Sequence, residues 1–296
     1  MFEGSLVALI TPFRHGELDW EGVQRCVDAH LAGGTQALVV AGTTGEAPVL
    51  HKSEYRQLLE AVCQQVAGRL PVIAGASSCN PVEALTLAAL AQESGVDGLM
   101  CAAGYYNRPD QEGLYQHFRF LHDRTRLPLL IYNVPPRTVV DVVPDTLARL
   151  AQLERVVGVK DASADLMRPM LEWQQIRRPF SWLSGDDGTA VAYNAMGGNG
   201  VISVLANVLP AMSRQLQDAC RLNDFATARR YQRTLLPLIQ ALALSPSPAG
   251  IKYACSLAGL CTEECRAPMM PVTAPVRERI ATALLPLLEG GVRQAG

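Results

Sequence analysis

The stretch Val156-Val157-Gly158-Val159-Lys160 decides how this chain is read. A run of β-branched residues suits a strand packed on both faces, as in parallel sheets. It closes on an ammonium at a place where water is scarce. The sequence has 26 lysines and arginines in 296 residues, and only Lys52, Lys160 and Lys252 are lysines. Guanidinium is effectively always protonated, so arginine cannot stand in for lysine in amine chemistry. A lysine here, in a chain that otherwise uses arginine, points to a neutral nucleophilic amine.

Seven further apolar runs of the same kind occupy 6–10, 37–41, 71–74, 98–102, 129–132, 180–183 and 201–204. Helix signals fill the gaps between them. Asn80-Pro81-Val82-Glu83 combines an N-cap, a first-turn proline and an N3 glutamate, with Gly95 as the stop. Ser53 is read as the cap of a segment whose Leu58, Leu59, Val62, Cys63 and Val66 follow the helical period towards Gly68. Asp19 precedes another helix, which runs towards Gly33-Gly34. Alternating β and α units imply a parallel sheet, and eight of them imply a closed (β/α)8 TIM barrel. A doubly wound sheet is the competitor, but Thr11-Pro12-Phe13-Arg14 after the first strand is no glycine-rich phosphate turn. Beyond about residue 208 the pattern is all helical, at 210–221, 225–244, 249–260 and 274–289. The expectation is a catalytic barrel over 1–222 and a small C-terminal all-helical appendage over 223–296.

Composition narrows the function classes. With 49% hydrophobic and 18% charged residues, the chain is a well-cored globule. A net charge of −2 gives no footprint for nucleic acid, no apolar run spans a membrane, and no leader-like segment opens the chain. A cytoplasmic location is expected. The eight cysteines read as free thiols in a reducing compartment. Cys261 and Cys265 lack a second ligand pair, so no metal is expected, and no cofactor.

Barrel chemistry sits at the C-terminal strand ends. Those ends carry Thr11, Gly42-Thr43-Thr44-Gly45-Glu46, Gly75, Tyr105-Tyr106-Asn107, Tyr132 to Thr138, Lys160-Asp161, Gly185-Asp186-Asp187-Gly188 and Ile202-Ser203. Hydroxyls, one lysine and Arg137 therefore converge on one rim, which suits a small anionic carbonyl compound. A lysine amine lowered from ~10.4 to about 7–8 by desolvation condenses with a ketone, and the Schiff base acidifies the adjacent carbon. Thr43, Tyr106 and Tyr132 can donate and accept the protons. Arg137 and the N–H groups of the Thr43-Thr44 turn can hold a carboxylate. Singly, each has a plainer reading: a paired lysine, packing tyrosines, a surface arginine, a tight turn. Their joint occurrence on separate strand ends favours catalysis.

The motifs resemble the dihydrodipicolinate synthase / N-acetylneuraminate lyase family of class I aldolase barrels. The similarity runs through G-T-T-G-E at 42–46, Y-Y-N-R-P at 105–109, Q-E-G-L-Y-Q-H-F at 111–118, Y-N-V-P-P-R-T at 132–138, V-K-D-A at 159–162, S-G-D-D at 184–187 and G-V-I-S-V at 200–204. The resemblance implies that Lys160 forms an imine with pyruvate and that Tyr132 donates and accepts protons. It implies that Thr43 links Tyr132 to Tyr106, and that a neighbouring subunit lends Tyr106 in a homo-oligomer, a dimer or tetramer. Thr43 and Thr44 would grip pyruvate's carboxylate, Arg137 that of an incoming aldehyde, and Gly185 and Ile202 would line the pocket. Arginine-threonine at 137–138 marks the synthase branch, which condenses pyruvate with L-aspartate-4-semialdehyde on the route to lysine and diaminopimelate.

Some positions depart from the family pattern. Ala103-Gly104 replaces a threonine-proline, Val139 a small residue, and Ala47-Pro48 a serine-alanine pair. Lys52, Tyr55 and Cys79 stand where lysine-sensitive members build a feedback pocket, although Glu83 and Tyr105 persist. Weak or absent inhibition by lysine is therefore expected. Two other readings are a related pyruvate aldolase or oxo-acid decarboxylase with another second substrate, and a silent barrel that binds small acids.

Overall fold

The computed structural model describes residues 2–102 and 104–293, with side chains as far as residue 290. Eight parallel strands close into a barrel. They are β1 (Gly4–Ala8), β2 (Ala37–Val40), β3 (Val72–Gly75), β4 (Gly98–Ala102), β5 (Leu129–Asn133), β6 (Val156–Asp161), β7 (Ser181–Ser184) and β8 (Gly200–Ser203). Each pairs with its sequence neighbour, and β1 closes the ring on β8 through Leu6 opposite Ile202. Side chains alternate along every strand. Leu6, Val39, Ile73, Met100, Leu130, Leu183 and Ile202 fill the barrel interior, while Val7, Leu38, Val40, Leu99 and Ile131 face the surrounding helices.

Helices α1 (Trp20–Ala32), α2 (Lys52–Val66), α3 (Pro81–Glu93), α4 (Gln111–His122), α5 (Pro135–Thr138), α6 (Pro144–Leu150), α7 (Arg168–Gln175), α8 (Ala190–Ala195) and α9 (Pro210–Arg221) surround the strands. Three more follow: α10 (Phe225–Leu242), α11 (Ala249–Leu257) and α12 (Ala274–Arg293). Asn80 caps α3 as read from sequence, its Oδ1 accepting from Val82 N–H at 3.0 Å. At α2 the cap is His51 instead of Ser53, because Glu54 reaches back to the His51 N–H at 2.9 Å. Pro237 and Pro286 lie inside α10 and α12 and do not end them. A two-residue hairpin, Phe13–Arg14 with Glu17–Leu18, was not foreseen; its turn is His15-Gly16, both with positive φ. No described helix is long and apolar enough to cross a membrane.

The last part of the chain grips this hairpin. Glu264 accepts from the His15 and Gly16 N–H groups at 2.8 and 2.6 Å, and Arg266 donates to the Gly16 carbonyl. The Phe13 ring lies beneath Lys252 and Arg266, at 4.2 and 4.3 Å from their charged groups.

His30 is fully buried on α1, with Nδ1 2.8 Å from Thr35 Oγ1. Burial lowers its imidazole to about 3. The unfolded chain protonates this ring below about pH 6.5, whereas the folded chain does so only near 3. Stability therefore falls as pH drops through that window. His30→Gln is expected to flatten the decline of the urea midpoint between pH 7 and 4, measured by circular dichroism.

Candidate active site

Lys160 lies at the end of β6 directly opposite Tyr132 on β5, and Asp161 opposite Asn133. Strand parity turns Lys160 and Tyr132 to the barrel interior, where Lys160 is only 4% exposed. Its Nζ stands 4.4 Å from the centroid of the Tyr132 ring. Among the described residues Lys160 makes no ion pair and no side-chain hydrogen bond. The other two lysines are paired, Lys52 with Glu83 at 2.8 Å and Lys252 with Glu46. An exposed ion pair, the plainest alternative role for Lys160, is thus absent among the described residues.

Beside this pair opens a cavity of about 450 Å³, lined by Thr43, Tyr55, Tyr105, Tyr132, Arg137 and Thr138 among others. The loop after β2 enters it because β3 ends in a glycine. A Cβ on Gly75 would stand 2.2 Å from the Ala41 carbonyl oxygen, so any side chain would push the loop away. In that loop Glu46 N–H bonds to Thr43 O at 3.1 Å and Ala47 N–H to Gly42 O at 3.2 Å. The N–H groups of Thr43 and Thr44 have no partner among the described residues, which leaves two donors for an anion. Thr11 Oγ1 steadies the loop by donating to Gly45 O at 2.7 Å, and Tyr55 Oη donates to Gly75 O at 3.0 Å.

The sequence-predicted residues do not all meet in one chain. Thr43, Tyr132 and Arg137 line the cavity, and Gly185 abuts the lysine: a Cβ there would stand 3.2 Å from Lys160 Cε and 2.8 Å from Ala162 Cβ. Ile202 is fully buried on the inner face of β8, and Thr44 is buried in the loop without lining the cavity. Tyr106 is 90% exposed and is not among the residues lining its own chain's cavity. Among the described residues, the Thr43, Tyr106 and Tyr132 hydroxyls form no hydrogen bond with one another. Ala103 lies outside the described residues. Arg137 is exposed on α5, and Val139, which follows that turn, has φ 62°.

Sequence reading missed two charged groups that support the rim. Lys252 is fully buried and donates to Glu46 and to Glu264 O at 2.7 Å, while Glu46 Oε2 accepts from Arg266 N–H at 2.9 Å. The rarity that singled out Lys160 applied equally to Lys252 and was the available signal. The second group joins Asn133, Asp141, Asp161, Arg168 and Glu172. Only the Arg168–Glu172 spacing of four hinted at it. Burial pushes the Asp161 carboxyl up and the Glu172 carboxyl to about 7, with Arg168 opposing the rise in both.

Because Gly185 leaves no room beside the lysine stem, Gly185→Ala is expected to displace Lys160. The amount of ketone-derived adduct trapped on Lys160 by borohydride should fall at least about tenfold, with the circular dichroism spectrum kept.

Comparison with known proteins agrees with this geometry. The sequence profile of the Dihydrodipicolinate synthetase family matches residues 1–285. The chain is 46% identical over 284 residues to a 4-hydroxy-tetrahydrodipicolinate synthase of Cereibacter sphaeroides, covering 96% of this chain and 98% of that protein. The crystal structure of dihydrodipicolinate synthase from Aquifex aeolicus superposes with a TM-score of 0.95 at 37% identity, over 97% of this chain and 98% of that one. A structure described as a monomeric dihydrodipicolinate synthase variant superposes at 0.93, also with 37% identity, over 96% of each chain. With its closed barrel and buried, unpaired lysine, the chain belongs to the dihydrodipicolinate synthetase family.

Proposed function

We propose that this chain is a Schiff-base-forming lyase that condenses pyruvate with L-aspartate-4-semialdehyde to give 4-hydroxy-tetrahydrodipicolinate. One observation carries the reading: Lys160 Nζ is buried, has no counter-ion among the described residues, and faces the Tyr132 ring at 4.4 Å. A lysine nitrogen that no carboxylate or carbonyl occupies is available to attack a substrate carbonyl.

The amine adds to the carbonyl carbon of pyruvate, and the carbonyl oxygen leaves as water after two proton transfers. These transfers are assigned to the Tyr132 hydroxyl, a reading supported by the Tyr132 ring lying 4.4 Å from Lys160 Nζ. The resulting iminium draws electrons from the methyl group, whose proton is lost to give an enamine. The enamine carbon then attacks the aldehyde carbon of the second substrate, the aldehyde oxygen takes up a proton, and the amino group of that substrate adds to the iminium carbon, closing the ring and expelling the Lys160 amine. Unpaired Thr43 and Thr44 N–H groups hold pyruvate's carboxylate, and Arg137 at the mouth holds that of the aldehyde. Gly185 and Ile202 shape the pocket. Tyr106 completes the proton relay from a second copy of the chain; its exposure and its absence from its own cavity lining support a homo-oligomer, a dimer or tetramer. The division into a barrel over 1–222 and a helical unit over 223–296 is part of the same reading, supported by the break between α9 and α10.

Incubation with pyruvate, borohydride reduction and peptide mapping should place the adduct on Lys160. Lys160→Arg should lose it and lower turnover by on the order of 10³-fold or more. An adduct-free wild type would sink the proposal. Rates with aspartate semialdehyde, oxaloacetate and sialic acid separate the synthase from a related aldolase or decarboxylase.

The Glu83 carboxylate at the far side of the cavity already accepts the Lys52 ammonium. A free lysine would have to displace that partner. Half-inhibition by lysine is expected above roughly 1 mM, equivalent to about 4 kcal/mol of binding, in a steady-state titration.

A further inference from the structure

Segment 134–143 carries Arg137. It leaves the end of β5, makes one turn through α5, reverses at Val139 and comes back to the barrel at Val142. Among the described residues, the hydrogen bonds of the outward limb stay within the segment, Arg137 N–H to Val134 O at 2.9 Å and Thr138 Oγ1 to the Val134 and Val140 carbonyls, with Val134 and Thr138 buried. The Arg137 side chain has no hydrogen bond or ion pair among the described residues, so its place follows from that of the segment. A β-branched residue in the left-handed region, as at Val139, costs roughly 1–3 kcal/mol and persists only where surrounding structure enforces it.

The enforcement comes from the returning limb. Asn133 Oδ1 accepts from Val142 N–H at 3.0 Å, and its Nδ2 donates to Asp141 Oδ1 at 2.7 Å. The guanidinium of Arg168 then closes on the same two residues. Its Nη1 donates to both Asp141 oxygens, at 3.0 and 2.8 Å, its Nη2 to Val142 O, and its Nε to Glu172 Oε1 at 3.0 Å. Arg168 and Glu172 are both buried. Three acceptors around one rigid fork is a geometry that only arginine fits. The Asn133 amide also reaches Asp161 Oδ1 at 3.3 Å, next to Lys160 in the chain.

We infer that Arg168 is a positioning residue: through Asp141 and Val142 it fixes segment 134–143 and so sets how tightly Arg137 holds the carboxylate of the acceptor aldehyde. This rests on the function proposed above, in which that carboxylate is Arg137's ligand.

The test is steady-state kinetics on the full-length chain with Arg168→Lys, which keeps a cation beside Asp141 and Glu172 but removes the fork. KM for aspartate semialdehyde is expected to rise about tenfold, which is about 1.4 kcal/mol of lost binding. KM for pyruvate should stay within about twofold, and the borohydride adduct on Lys160 should match wild type. Asp141→Ala, at a partly exposed position, removes one side of the clamp while Glu172 still pairs with Arg168, and decides the matter if Arg168→Lys does not fold. An unchanged KM for the semialdehyde in Asp141→Ala, or an equal rise for both substrates, overturns the inference. Failure of the functional reading looks different: wild type would form the pyruvate adduct without turning over the semialdehyde. The same KM comparison is then made with the oxo acid it does use.

Discussion

An ammonium buried inside a closed sheet without a carboxylate is the constraint on which this site depends. Taking a charge out of water costs several kcal/mol unless it is paired or neutralised. The three lysines of the chain meet that constraint in three ways. Lys52 stays half-exposed and pairs with Glu83 in solvent. Lys252 is fully buried but surrounded by the Glu46 carboxylate, the Glu264 carbonyl and the Phe13 ring. Among the described residues, Lys160 has only the face of Tyr132. With no acceptor occupying it there, that nitrogen is available to a substrate.

The environment of Lys160 follows from the sheet. Parallel pairing puts Tyr132 opposite Lys160, and a strand period of two turns both inward. Asp161, one residue on, falls on the other face, where Asn133 and Ser163 satisfy it at 3.3 and 2.9 Å. A carboxylate adjacent in sequence is thereby kept from quenching the amine. On the opposite side of the rim the C-terminal helices act through Glu46. Breaking a buried pair such as Lys252–Glu46 typically costs 3–5 kcal/mol, so this link fixes the end of the loop whose Thr43 and Thr44 N–H groups stay free. The helical unit thus contributes to the site without placing any side chain in it.

The barrel was legible because each of its strands is a short β-branched or apolar run, and some intervening helices carry a clear cap or glycine stop, as at Asn80 and Gly95. A boundary shifted where a residue outside the usual capping set took the role, as at His51, while the expected helices running through Pro237 and Pro286 formed across them. The hairpin at 13–18 escaped notice because two residues per strand carry no periodicity. Lys160, Tyr132, Thr43 and Arg137 were legible as residues at strand ends. The Asp141–Arg168–Glu172 group was not, since it joins an interhelical loop to a helix some 27 residues further on, and no local pattern encodes such a contact. Tyr106 was legible as a hydroxyl after a strand end, and its loan from a neighbouring subunit only through family resemblance; in the single chain it does not line the cavity.

The site divides mechanically into two halves. On the side proposed for pyruvate, Lys160, Tyr132 and Gly185 belong to strand ends or abut them; a Cβ at Gly75 would collide with the Ala41 backbone, and one at Gly185 would collide with Ala162 and crowd the lysine stem. Little can change there without moving the amine. On the acceptor side, Arg137 rides on a single helical turn closed by a strained Val139, and a Cβ on Gly104 beside the tyrosines would meet Pro109 at an ordinary 3.5 Å. Sterics do not demand glycine at 104 and disfavour valine at 139. Of these two departures from the family pattern, Gly104 falls where the fold tolerates it and Val139 where it is strained. The choice of second substrate can drift on that side while the covalent chemistry stays fixed.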